Sequence, residues 1–344
     1  MTPALPEAMR AAVYRERGRI AVEKRPVPEP GPRDVLLRVS HCGVCGTDLH
    51  LVLDGWGRPD SIGGHEYSGR IAALGTQVSG WKIGEPAVGG PVPGCGSCDY
   101  CRAQRPALCT GTPGLGEFQG AFAEYKLLPE TQLVRVPQGL GLREAALSEP
   151  LSVALHAVTR SGVRPGQRAL VSGAGPIGLL TLAALRARGV EEVVVSEPSE
   201  VRRELARLVG ASQVVTPDQL EVPRMPFARV DGAVHVAFEC SGVAAAIQAA
   251  LAQLEKTGTL VLVGSGVERP RLDAMRVLLN ELVVTGAYNY DEDGYAQALA
   301  LLASRRLPTD LLIEPDDIAL DGLQAAMERL ASGRIGGKVL VVPS

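Results

Sequence analysis

The sequence predicts an α/β protein in two parts: an irregular antiparallel β domain, then a doubly wound parallel-sheet domain. Three observations carry this expectation. Residues 1–152 are rich in glycine and proline and hold only short β-like runs separated by turn signals. Further on, RALVSGAGPIGLLTLAALRARGVEEVVVSEPSEVRRELARLVGA alternates an apolar strand, a glycine turn, an amphipathic helix, a second apolar strand and a second helix. That is the βαβ pattern of a buried parallel sheet. The tail, GGKVLVVPS, returns to a strand. We therefore assign 1–152, with 286–344 returning to it, to the first domain and 153–285 to the second. A chain of 344 residues suits two domains and buries a core large enough to fold without a metal.

The elements follow in order. VLLRVSHC (35–42), YSGRIAALG (67–75) and EYKLLPE (124–130) read as strands of the first domain, which shows no long periodic helix. In the second, 230–242, 259–266 and 282–288 read as further strands with helical segments between them. Composition narrows the function classes. The formal net charge is −3 and the lysines and arginines are scattered, so no basic field gathers nucleic acid. The longest apolar stretches fall short of the roughly 18 residues that span a bilayer. MTPALPEAMR lacks the basic-then-apolar pattern of a signal peptide, which makes a cytoplasmic location the expectation.

Four of the seven cysteines crowd into CGSCDYCRAQRPALC, at C-x2-C-x2-C-x7-C. In a reducing compartment, Cys95, Cys98, Cys101 and Cys109 read as thiolate metal ligands rather than disulfides. Four thiolates complete a tetrahedral shell and leave no open position, so this metal clips a glycine- and proline-rich loop, GGPVPGCGSCDYC. Zinc ribbons that grip nucleic acid pair their knuckles about 15–20 residues apart, which this spacing does not match. Cys42 and Cys240 read as plain buried thiols.

Chemistry is expected elsewhere. GAGPIG (173–178) fits G-x-G-x-x-G between a strand, ALVS, and a helix, LLTLAALRARG, and Glu197 closes the next strand. Gly173 permits the tight turn, Gly175 the approach of a pyrophosphate, and Gly178 close helix–strand packing. The helix N-terminus offers free N–H groups to phosphate. A carboxylate at 197 suits a ribose diol and repels a 2′-phosphate, favouring NAD(H), while Arg202 and Arg203 keep NADP open. Pro176, Ile177, Arg202, Val263 and Gly264 complete the expected cofactor-binding set.

Three stretches offer ligands for a metal with an open position: CGTDLH (45–50), GGHEYSG (63–69) and SEPLSVALH (148–156). Singly each is ambiguous, since His65 also suits a hydrogen-bonded turn and Glu149 a helix start.

Together with the cysteine cluster and GAGPIG, these blocks resemble, along essentially the whole chain, the zinc-dependent medium-chain alcohol dehydrogenases. The likeness is to their polyol branch, which includes sorbitol and 2,3-butanediol dehydrogenases. The resemblance implies a GroES-like catalytic domain with a Rossmann cofactor domain, and two zinc ions per chain. It makes Cys45 and His65 ligands of the catalytic zinc and leaves Glu66 or Glu149 as the third. Asp48 would orient the ligating histidine. Thr47 and His50 would relay the alcohol proton, and Cys95, Cys98, Cys101 and Cys109 would hold the structural zinc. The implied reaction moves hydride between NAD(H) and a secondary alcohol, vicinal diol or polyol. Primary-alcohol oxidation or carbonyl reduction, with NADP as cofactor, is the alternative within the family. Family habit implies a homodimer or homotetramer with cofactor-domain strands pairing between subunits. One stretch departs from the pattern: LVLDGWGRPDSIGG, between His50 and His65, is shorter than in typical butanediol dehydrogenases.

Overall fold

The computed structural model describes residues 5–90, 94–111, 119–291 and 293–344. In the first domain, β1 (Ala8–Glu16) and β2 (Arg19–Pro26) form a hairpin. They are followed by β3 (Asp34–Gly43), α1 (Gly46–Val52), β4 (Glu66–Leu74), β5 (Pro86–Gly89) and α2 (Asp99–Arg102). Then come β6 (Tyr125–Pro129), β7 (Leu133–Arg135), α3 (Leu142–Ala145) and the long α4 (Ser148–Ser161). The second domain holds β8 (Ala169–Ser172), α5 (Pro176–Ala187), β9 (Val193–Ser196), α6 (Glu200–Val209) and β10 (Gln213–Val215). It continues through β11 (Val234–Glu239), α7 (Ala244–Ala252), β12 (Leu254–Leu262), α8 (Ala274–Leu279) and β13 (Val283–Gly286). The chain closes with α9 (Gly294–Ala303), α10 (Thr309–Leu312), β14 (Ile318–Ala319), α11 (Leu323–Ala331) and β15 (Leu340–Val342).

The six strands of the second domain are all parallel and run in the order β10-β9-β8-β11-β12-β13. Their chain order is thus 3-2-1-4-5-6, and the reversal between β8 and β11 opens the crevice where such sheets take a dinucleotide. Every residue of β8 and β9 is buried, because helices cover both faces of the sheet. That is why these strands read as unbroken apolar runs. α5 is apolar around most of its circumference and sits in the core, whereas α6 keeps its arginines and glutamates outward.

The seven-stranded sheet of the first domain runs β14-β15-β3-β4-β5-β7, with β6 also pairing β3. β15 pairs antiparallel with β3 at Leu340–Gly43 and Val341–Cys42, so the tail completes the sheet whose strands lead into CGTDLH and GGHEYSG. α4 crosses the 152/153 boundary unbroken, and its apolar face packs on α5 in a core shared by both domains. Residues 91–93, within the loop leading to the cysteine lobe, lie outside the described residues.

Candidate active site between the domains

The end of β3 delivers Cys45 to the N-cap of α1. Asp48 Oδ2 accepts the Cys45 backbone N–H at 2.9 Å, closing a capping box that fixes the first turn. Its other oxygen accepts Gly64 N–H at 3.2 Å and lies 3.8 Å from His65 Nδ1. One buried carboxylate therefore ties two of the three blocks together. Burial raises the Asp48 pKa, with His65 and the backbone donors opposing.

Cys45, His65 and Glu66 present ligand atoms within 4.8 Å of one another. Glu149, on the first turn of α4, is outside that group of three but lines the same cleft. Burial is the main cause that pushes Glu149 up to about 7, against the attraction of His65 and Lys338 and with the repulsion of Glu66 and Asp48. Burial disfavours the His65 imidazolium, yet Cys45, Asp48 and Glu149 outweigh it and hold its pKa well above the ordinary value. Glu66 Oε1 accepts Lys338 Nζ at 2.7 Å, while Glu66 Oε2 is buried with no hydrogen-bond partner among the described residues. An orphaned carboxylate oxygen beside a thiol and an imidazole, amid excess negative charge, fits a divalent cation.

The second cluster has a different character. Cys95, Cys98, Cys101 and Cys109 place their sulfurs within 4.8 Å of one another. Cys98 and Cys109 Sγ lie 3.9 Å apart, close to the ~3.8 Å edge of a tetrahedron with zinc–sulfur bonds of about 2.3 Å. Backbone N–H groups of Cys98 and Cys101 point at Cys95 and Cys98 sulfur at 3.3 and 3.4 Å, and those of Cys95 and Gly111 at Cys109 sulfur at 3.2 and 3.3 Å. The Ser97 hydroxyl, with backbone amides, pulls the Cys95 thiol down to about 6. The Cys101 backbone N–H lowers Cys98 as well, whereas burial raises Cys101 to about 11, so thiolate character before any metal arrives is concentrated on Cys95 and Cys98. Cys42 and Cys240 are buried thiols, both with raised pKa from burial.

At the cofactor end, Gly173 takes φ of 92°, and a Cβ on Gly178 would stand 1.9 Å from the Gly173 carbonyl oxygen. Pro176 opens α5, where its missing N–H costs nothing. Glu197 is only 3% exposed, and its two oxygens accept Ala174 N–H at 2.7 Å and Ser199 N–H at 2.8 Å. The carboxylate braces the glycine turn, a role the motif alone did not suggest. Arg202 donates to the Ile335 and Leu330 carbonyls at 2.9 and 2.8 Å and so straps α6 to the returning C-terminal segment. Val263 and Gly264 leave β12 with their N–H groups on the Glu239 carbonyl at 2.9 and 2.8 Å.

A cleft of about 1380 Å³ joins the two ends. It is lined by Cys45, Thr47, His50, His65, Glu66 and Glu149 on one side and by Gly173, Gly175, Pro176, Ile177, Glu197, Arg202, Val263 and Gly264 on the other. Pro106–Leu108 and Tyr288–Asp291 add walls, and residues 112–118 lie outside the described residues. The motifs missed Lys338, Ser265 and Asp54. Lys338 follows the Gly-Gly of a strand with no chemical signature, and only Asp54, four residues after His50, carried a usable spacing signal.

A nucleotide-binding turn and a thiol, imidazole and carboxylate set facing one cleft define a metal-assisted dehydrogenase. Comparison with known proteins agrees. An alcohol dehydrogenase GroES-like domain matches residues 31–138, and a zinc-binding dehydrogenase domain matches 176–304. Sorbitol dehydrogenase of Bacillus subtilis (strain 168) is 34% identical over 339 residues, covering 96% of this chain and 95% of that protein. L-threonine 3-dehydrogenase of Pyrococcus horikoshii is 32% identical over 327 residues, covering 92% and 93%. A zinc-binding dehydrogenase from Sinorhizobium meliloti 1021, solved bound to NADP, superposes with a TM-score of 0.87 at 32% identity, covering 98% of this chain and 100% of that one. The chain belongs to the zinc-dependent medium-chain alcohol dehydrogenase family, on the polyol branch that includes sorbitol dehydrogenase.

Proposed function

We propose that this protein oxidises a secondary alcohol, vicinal diol or polyol with NAD+, and reduces the corresponding ketone with NADH. The observation that carries the reading is the single cleft that holds the Cys45–His65–Glu66 group and the glycine turn together. Cys45 and His65 would hold the catalytic zinc with Glu66 or Glu149 as third ligand, and the four-cysteine lobe would hold the structural one. When bound, zinc would supply Lewis acidity that brings the pKa of a bound hydroxyl down toward neutrality, and the nicotinamide would supply the hydride acceptor.

The chain's own residues do the rest. Asp48 holds the Cys45 turn and the Gly64 amide, which places His65. Thr47 lines the cleft one turn before His50 on α1, and the pair would carry the hydroxyl proton outward. A donor set that is mostly anionic, Cys45 with Glu66 or Glu149, would moderate the charge of a bound metal and so suit a substrate with a second neighbouring hydroxyl. Glu197 at the end of β9 favours NAD over NADP by repelling a 2′-phosphate.

We assign the protein to the cytoplasm, because the thiolate sets need a reducing compartment. Among the described residues, no helix is long and apolar enough to cross a membrane. We also propose a homodimer or homotetramer. β13 is one of the two edge strands of the parallel sheet, and Met275, Leu278, Leu279 and Val283 expose apolar side chains in or beside it.

The test is an NAD+ reduction screen on zinc-loaded enzyme. The panel covers 2,3-butanediol stereoisomers, sorbitol, xylitol, glycerol, simple secondary alcohols and L-threonine, each repeated with NADP+. Turnover on a secondary hydroxyl with a neighbouring polar group, preferring NAD+, is the expected result. Cys45→Ala should abolish that turnover, halve the zinc content and leave the circular dichroism spectrum unchanged. Full activity in that variant would overturn the assignment.

A further inference from the structure

His50 does not stand alone at the edge of the cleft. Its Nδ1 lies 2.6 Å from Asp54 Oδ2, one helical turn further along the chain. Its Nε2 lies 3.1 Å from the hydroxyl and 3.2 Å from the carbonyl oxygen of Ser265, which follows β12 in the cofactor domain. Its ring stacks on Trp56, with centroids 4.9 Å apart and planes 20° apart. Asp54 and Trp56 both come from the shortened segment between His50 and His65.

We infer that Asp54 is a positioning residue for proton transfer, fixing His50 as the Nδ1–H tautomer so that Nε2 faces the cleft as the base. A carboxylate can only accept at 2.6 Å, so Nδ1 must carry the hydrogen. Nε2 is then an acceptor in the neutral ring, and the Ser265 hydroxyl can donate to it. Once Nε2 takes up a proton, it becomes a donor and the Ser265 carbonyl is already in place to receive it. The same geometry thus serves both protonation states without a change of rotamer. Trp56 holds the ring plane and stabilises the cation across its face.

The step is a proton relay only. One proton from the cleft arrives at Nε2 and leaves again from Nε2 to water, which restores the Nδ1–H tautomer with no change of oxidation state. Asp54 is 40% exposed, and its carboxylate keeps the Nδ1 hydrogen in both protonation states. Among described charged groups, Asp54 is the carboxylate on the ring. Arg17 on the β1–β2 turn donates to Leu53 O at 3.1 Å, next to it, and Asp48 faces the opposite side of α1.

This inference rests on His50 belonging to the relay, and the test separates the two. The chain has five histidines, so ring-15N-labelled holoenzyme gives a tractable spectrum, with His50→Gln assigning the signal. The parent should show His50 protonated at Nδ1 at high pH. Protonation at Nε2 in the parent overturns the inference without any variant. Asp54→Asn should move the proton to Nε2, because an amide can donate to Nδ1. It should also lower kcat about 10-fold, a part of the ~10²–10⁴ that positioned acid–base groups supply. The solvent deuterium isotope effect on kcat should rise, KM for the alcohol should hold, and added imidazole should restore most of the rate. Asp54→Glu should recover the parent tautomer and rate. If His50→Ala is slow and rescued by imidazole but Asp54→Asn keeps the parent tautomer and ignores imidazole, only this inference fails. If His50→Ala turns over like the parent, the relay reading fails with it.

Discussion

Lys338 is the sharpest place to perturb the structure. It is 3% exposed, and its ammonium donates to Glu66 Oε1 at 2.7 Å and to the Val44 carbonyl at 3.1 Å. Lys338→Met keeps the apolar stem and removes the charge, leaving Glu66 buried without its cation. Breaking one side of a buried pair costs about 3–5 kcal/mol. At about 2–4 °C per kcal/mol for a large domain, the melting point should fall by roughly 6–20 °C. The loss should be greatest in metal-stripped protein, since a bound cation gives the orphaned Glu66 Oε2 a partner. Burial disfavours the ammonium, but attraction from Glu66 and Cys45 raises the Lys338 pKa overall. A raised lysine contributes fully below its unfolded value of about 10.4 and is lost only above the folded value. The gap between parent and variant should therefore stay flat from about pH 6 to 9. Thermal melts of stripped and zinc-loaded protein across that range measure it. Adding Glu66→Gln should recover most of the loss, because it removes the stranded charge. A Lys338→Met protein that melts with the parent, or a double variant no better than the single, would refute the reasoning.

Two further outcomes follow from the same structure. Cys98→Ser should lower the melting point, or the integrity of the oligomer, more than it lowers kcat of the folded fraction; a lost kcat at unchanged stability would count against a structural lobe. Glu149, raised to about 7, contributes stability below its unfolded value of about 4.3, and that contribution is lost as pH rises toward 7. Urea midpoints of metal-stripped protein should fall between about pH 5 and 7, and Glu149→Gln should flatten the fall; parallel slopes would place the titration elsewhere.

Much of this was legible in order along the chain. The parallel strands announced themselves because both faces are buried, as VVVS at β9 shows. The hairpin of β1 and β2 escaped notice, because β2 is largely half-exposed and its RIAVEKRP carries no clean alternation. Helix α1 also escaped notice, since its seven residues hold less than two full periods of amphipathic pattern.

The sequence by itself determined the chemistry available: ligand types, glycine turn, four-thiol spacing and family. Those are local properties, set by residue identity and short separations. Only the tertiary structure decided what stands beside what. It placed Lys338 on Glu66 across 272 positions and Ser265 on His50 across 215, and it turned Glu197 onto the Ala174 amide. The conspicuous cysteines are grouped by the chain itself, whereas Cys45, His65, Glu66 and Glu149 meet only because β3, β4 and α4 converge on one cleft. No local pattern encodes that convergence, because it is set by how two cores pack around α4.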